Sequence, residues 1–155
     1  MYDVYADSAF ERHFKRSIWR RVMDRVNHRC RKLFRLNAVV GESGFQGQHD
    51  LGMQVVPVDQ IIGTVGREND FDNVFRPRRQ ESRKRWMSIY YALNEGKGLP
   101  AVELLKVGDD YFVEDGHHRV SVAYALEQTY IDAHVIEIEA QHSRSADVSA
   151  CALSD

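Results

Sequence analysis

The sequence predicts an α+β protein, a small mixed sheet flanked by helices and preceded by an N-terminal amphipathic helical arm. Short β-prone runs at residues 53–58, 101–107, 111–114 and 131–138 are punctuated by Gly, Pro and Asp. Apolar residues at helical spacing fill 80–94 and the stretch after Gly116, so helices alternate with strands. A longer helical pattern stands in front of all of these. A chain of 155 residues, 43% hydrophobic, suffices for one core, and suits one domain with an appended arm. The expected organisation is a basic amphipathic helix and Gly-rich loop over 1–52, a folded domain over 53–139 and a flexible tail over 140–155.

In the arm, Ser8 and Glu11 have the spacing of a capping box. Phe10, Phe14, Ile18, Val22, Val26, Cys30 and Leu33 follow at steps of four or three as one apolar stripe, with Asn27-His28 the weakest point of a helix running to Leu36. Gly41, Gly44, Gly47 and Gly52 then mark Asn37–Gly52 as a loop, and a polar stretch from Gly63 to Pro77 follows the first strand. Trp86, Ile89, Tyr90 and Leu93 draw the buried side of the next helix, which Gly96 can end in a left-handed conformation. Gly108-Asp109-Asp110 turns one strand into the next as a hairpin. Gly116 breaks the second of these into a helix carrying Val120, Ala123, Tyr124 and Leu126, and 131–138 closes the order as a last strand.

The net charge of -2 conceals a polarity. From Glu11 to Arg35 there are ten Lys/Arg against two acids, whereas from Leu99 to Asp155 eleven acids face three basic residues. Such asymmetry suits an arm for polyanions or a basic element folded onto an acidic body. The basic helix could pack its stripe on the body or in a homodimer, bind nucleic-acid phosphates without sequence preference, or lie on an anionic membrane; packing is the ordinary fate of such a stripe. No apolar run approaches the roughly 18 residues of a membrane span, so no integral membrane association is expected. The first ten residues lack a basic segment followed by an apolar one, and Cys30 and Cys151 lie outside any CxxC pattern. A cytoplasmic location is the expectation.

The chemistry concentrates in YFVEDGHHRVSVAYAL, residues 111–126: strand, glycine turn, helix. Unpaired amides and the helix dipole make such a start an anion site, and glycine lets a phosphate approach the backbone. Arg119 could fork onto phosphate oxygens, and His117 and His118 could add bonds. Asp115 could bind Mg²⁺ or accept a proton from an attacking hydroxyl; equally, it could simply cap the helix. The seven histidines show no metal-ligand spacing, since the adjacent His117 and His118 diverge by about 100° on a helix. No resident structural metal is expected.

From Gln54 to Ile138, roughly 85 residues, the pieces resemble the ParB N-terminal/sulfiredoxin superfamily. The likeness lies in VPVDQI (56–61), Ser88-Ile89, Gly98-Leu99-Pro100 and DGHHR (115–119), in the order strand, helix, hairpin, helix, strand. It implies a nucleotide site, for CTP as in ParB proteins or ATP as in sulfiredoxins, with Gly116, His117, His118 and Arg119 as the phosphate cradle. Neither cysteine is near the junction where sulfiredoxins carry their catalytic Cys, and no helix-turn-helix of the partition proteins is expected after the last strand. The junction is more similar to that of the free serine kinases, which also have an acid soon after the first strand; Glu68, in GREND (66–70), holds that place, with Arg67 beside it.

The resemblance therefore implies binding of ATP, ADP or CTP with Mg²⁺, and phosphotransfer to a small hydroxyl compound with Glu68 or Asp115 as base. Phosphoryl transfer needs such a base and positive charge around the moving group. Arg76, in the RPRR run (76–79), would stand near the nucleotide mouth. For Glu68 a solvated loop acid is the plainer alternative. The rival function is a non-enzymatic, DNA-associated module gated by nucleotide.

Overall fold

A computed structural model of the chain describes residues 2–27, 33–40 and 45–140. Six strands form one mixed sheet: β1 (Phe34–Arg35), β2 (Gly47–Pro57), β3 (Ile61–Thr64), β4 (Val102–Val107), β5 (Asp110–Asp115) and β6 (Tyr130–Glu139). Their spatial order is β1-β3-β5-β4-β6-β2. The β1/β3, β3/β5 and β4/β6 pairs are parallel, whereas β5/β4 and β6/β2 are antiparallel. The helices are α1 (Tyr2–Asn27), α2 (Leu36–Val40), α3 (Arg83–Asn94) and α4 (His117–Ala125). The α+β expectation and the order of strand, helix, hairpin, helix and strand are both present.

Alternation along the strands divides the core between the two faces of the sheet. Val102, Leu104, Tyr111, Val113, Ala133 and Val135 lie in one cluster with Val120 of α4 and the loop residues Phe71 and Phe75. Val107, Phe112 and Ile138 point the other way and meet Leu36 and Val39 of α2. A third cluster joins helix to helix, with Phe10 of α1 and Val122 of α4 against Trp86 of α3. Trp86 is fully buried, and its indole N–H donates to Ser121 Oγ at 2.9 Å. Its apolar bulk is therefore buried without stranding its polar atom.

Several expectations are corrected. Ser8 does not start a helix: α1 begins at Tyr2, and the Ser8 hydroxyl donates back to the Tyr5 carbonyl. The stripe also turns out differently, since Ala6, Ala9, Phe10 and Ser17 are buried while Ile18 and Val22 are exposed. Four residues advance a helix by about 400°, so a run of fours drifts about 40° per step off any fixed face. The buried set mixes threes and fours and stays on its face. Leu33 is buried, but the expected helix to Leu36 is not formed there: Phe34–Arg35 is β1, paired with β3 in the sheet. The Val26 side chain, Cys30 and residues 28–32 lie outside the described residues.

The segment expected as a loop contributes α2 and the first half of β2, which pairs with β6 from Gly47 onward. Gly47 pairs regularly with Glu139, and Gly52, at φ +70°, follows a register shift after Asp50. The strand β3 was not expected in a stretch containing glycine. Gly63 is required there because a Cβ would overlap the Phe112 ring and the Phe34 carbonyl. The tail reading concerns mainly 141–155, outside the described residues.

Candidate functional site

The chain leaves β5 at Asp115 and enters α4 at His117 through one residue, Gly116, at φ +95°. A Cβ at that position would also stand 2.7 Å from Val102 Cγ1, so both conformation and space demand glycine. Gly116 is the N-cap and has no side chain to cap α4, and among the described residues no other side chain is hydrogen-bonded to the amides of its first turn. Asp115 is therefore not the cap that it could have been. The first-turn amides and the dipole present partial positive charge that no capping side chain neutralises.

Asp115 instead accepts a hydrogen bond from Arg119 Nη2 at 2.9 Å, and it is well exposed. Arg119 Nη1 also donates to the carbonyls of Pro100 (2.6 Å) and Ala101 (2.8 Å). The guanidinium thus brackets the approach to β4 onto the first turn of α4. It also borders a cavity of about 310 Å³ whose walls include Val55, Leu99, Tyr130 and Asp132.

His117 and His118 point inward and are both buried. The Thr64 hydroxyl lies 2.7 Å from His117 Nε2 and accepts the amides of Gly66 (3.3 Å) and Arg67 (3.1 Å). The Thr64 hydroxyl also reaches the Val113 carbonyl at 3.5 Å, so one threonine ties His117, the end of β5 and the loop after β3 together. Burial, helped by the charge of Arg67, holds His117 down at about 4. His118 is also lowered to about 4, again chiefly by burial, with Arg67 and Arg85 adding to it. Among the described residues the buried Nε2 of His118 has no hydrogen-bond partner. Both rings lie against Phe71, stacked for His117 (6.0 Å) and edge-on for His118 (5.3 Å).

The loop after β3 encloses this pair. Arg67 lies over the Phe71 ring at 6.0 Å, and Asp70 holds both Arg67 and Arg79 at 2.8 Å. Asp72 Oδ1 accepts the amides of Val74 (3.0 Å) and Arg76 (2.9 Å), closing a turn in which Phe75 takes φ +54°. Burial raises the Asp72 carboxyl, opposed by those amides and by the charges of Arg76 and Arg20. A buried phenylalanine in that conformation costs on the order of 1 kcal/mol or more, and Asp72 holds it there.

The structure therefore brings Arg67, Asp115, Gly116, His117, His118 and Arg119 to one junction, the histidine rings facing in and Asp115 with Arg119 facing out. Two expected site residues lie elsewhere. Glu68 Oε1 is 2.6 Å from Arg35 Nη2 of β1, and no hydrogen bond or ion pair joins it to the junction among the described residues. Arg76 is half-buried beside Asp72 (3.7 Å), and its charge helps depress His13 of α1. Thr64, Asp70 and Phe71 were missed. The Asp-rich GRENDFD run signalled a turn; nothing local marked Thr64 as the partner of a histidine 53 residues away. Among the described residues no three His, Cys, Asp or Glu side chains gather to hold a metal ion.

No family model, curated protein or solved structure matches this chain.

Proposed function

We propose that the chain is a ParB/sulfiredoxin-like nucleotide-binding domain that takes ATP, ADP or CTP by its phosphates at the start of α4. The observation carrying this reading is the helix start itself: a left-handed Gly116 N-cap, no capping side chain, and the Arg119 guanidinium within the same turn. Backbone amides and a fixed cation suit phosphate oxygens. The cavity beside Arg119 offers volume for the rest of a nucleotide. Mg²⁺ would be held by the nucleotide's own phosphates.

Binding without transfer is favoured over phosphotransfer by the partners of the two candidate bases. Asp115 is engaged by Arg119 and Glu68 by Arg35. A general base must instead face the acceptor hydroxyl at roughly 2.6–3.2 Å. The reading is thus a nucleotide-responsive module, and DNA association is the use that its non-enzymatic form suggests.

A thermal-shift series with ATP, ADP, CTP and inorganic phosphate, each with and without Mg²⁺, tests it. A nucleotide at 100 times its Kd stabilises by about 2.7 kcal/mol, a rise of several degrees. Arg119→Lys keeps the charge but loses the forked geometry, and should weaken that shift. No shift with any nucleotide would remove the reading. Transfer of labelled phosphate to small hydroxyl compounds would restore the kinase form.

A further inference from the structure

The outward side of α1 carries an apolar patch that the fold does not use. Ile18, Trp19, Val22 and Met23 are 40%, 69%, 52% and 53% exposed. Their spacing places them together on two successive turns, and none belongs to a core cluster among the described residues. The preceding turns present Arg12, Lys15 and Arg16, all exposed. Of the acids of that stretch, Asp7 and Glu11 bind Arg83 of α3, and Glu11 also lies 3.6 Å from Lys15 Nζ, which leaves Arg12 and Arg16 as the outward charges without an acid partner among the described residues. Positive charge and apolar surface therefore share one outward face.

We propose that α1 docks this face on an anionic lipid bilayer, with Trp19 and its neighbours inserted at the headgroup level and the basic turns on the lipid phosphates and carboxylates. Charge complementarity selects this occupant. Arg and Lys favour any polyanion, but a nucleic-acid backbone offers nothing for Ile18, Val22 and Met23, whereas a bilayer interface takes both kinds of side chain. A second copy of the helix would bring like charges together, because basic residues bracket the patch on both sides in the sequence, from Arg12 to Arg25. The helix would lie on the surface, consistent with no helix of the described residues being long and apolar enough to cross a membrane.

Co-sedimentation of the full chain with vesicles of phosphatidylcholine containing about one-third phosphatidylserine tests the proposal. Binding should be on the order of tenfold weaker or more on pure phosphatidylcholine, in high salt, and for Arg12→Glu/Arg16→Glu. Trp19→Glu should weaken binding comparably while leaving the melting temperature nearly unchanged, because its side chain is exposed. Trp86 is already buried, so a blue shift of emission on adding vesicles reports Trp19. Absence of binding to anionic vesicles would overturn the proposal. So would salt-sensitive binding to duplex DNA without vesicle binding, or a dimer that Val22→Glu dissociates while vesicles stay unbound.

Discussion

His117 and His118 at the start of α4 are shut away from solvent, whereas His134 of β6 stands on a sheet face between carboxylates of the two flanking strands. The His134 ring has Nδ1 2.8 Å from Glu103 Oε2 of β4 and Nε2 2.7 Å from Asp50 Oδ1 of β2. Each carboxylate is best met by a donating ring nitrogen, so the pair favours the doubly protonated, cationic ring. Hydrogen bonds to Glu103, then Asp50, raise it above the ordinary histidine value, while burial lowers the inner pair to about 4. One residue type thus does opposite work. The junction needs neutral rings that pack on Phe71, and the sheet face uses a charged ring as a cross-strand tie.

The greatest loss should follow a change that breaks the junction itself. Gly116→Ala must place a side chain at φ +95° against Val102, and we expect about 2–4 kcal/mol of destabilisation by urea unfolding. Gly98→Ala is the control: a Cβ there meets nothing within 4 Å, and the change should be close to neutral.

The next effect separates the two histidine classes by pH. For His117 and His118 the folded value of about 4 lies below the unfolded 6.5, so the unfolded chain binds protons first on acidification. Their contribution is complete above about pH 6.5 and is lost as pH falls toward 4, on the order of a few kcal/mol per ring. His13 shifts the same way. Unfolding free energy measured from pH 7 to 4 should fall steeply, and His118→Phe should flatten that slope while removing the unpartnered Nε2. An unchanged slope in the variant would dissolve the contrast between the two sites.

His134 should give the smallest effect and the reverse sign. Its folded value is raised, so its contribution is present below about pH 6.5 and disappears as pH rises through the folded value. His134→Gln should lower the melting temperature slightly near pH 6 and not at all near pH 9. A loss of equal size at both values would mean that the ring acts by packing rather than by charge.

Much of the junction was legible in the residues, because DGHHR after a β-prone run is a local signal: a glycine that separates a β-prone run from helical spacing marks a turn between them. The α3–β4–β5–α4–β6 order was legible for the same reason, since periodicity and turn chemistry act within a few residues. Glu68 and Arg76 were expected at the site through the family resemblance, and tertiary packing places them against Arg35 and Asp72. The α1 stripe was half right: Phe10 and Phe14 meet the body, but the continuation through Ile18 and Val22 rotates away from it.

By itself, then, the sequence determined where strands and helices alternate and where the chain must pass through glycine, because those preferences belong to single residues and their immediate neighbours. The tertiary structure alone decided that a stretch with glycine at 47 and 52 enters the sheet as β2, that Thr64 pairs with His117, and that Glu103 and Asp50 favour the charged form of His134. Strand pairing and the local dielectric arise from residues distant in the chain, and become definite only when burial brings those residues together.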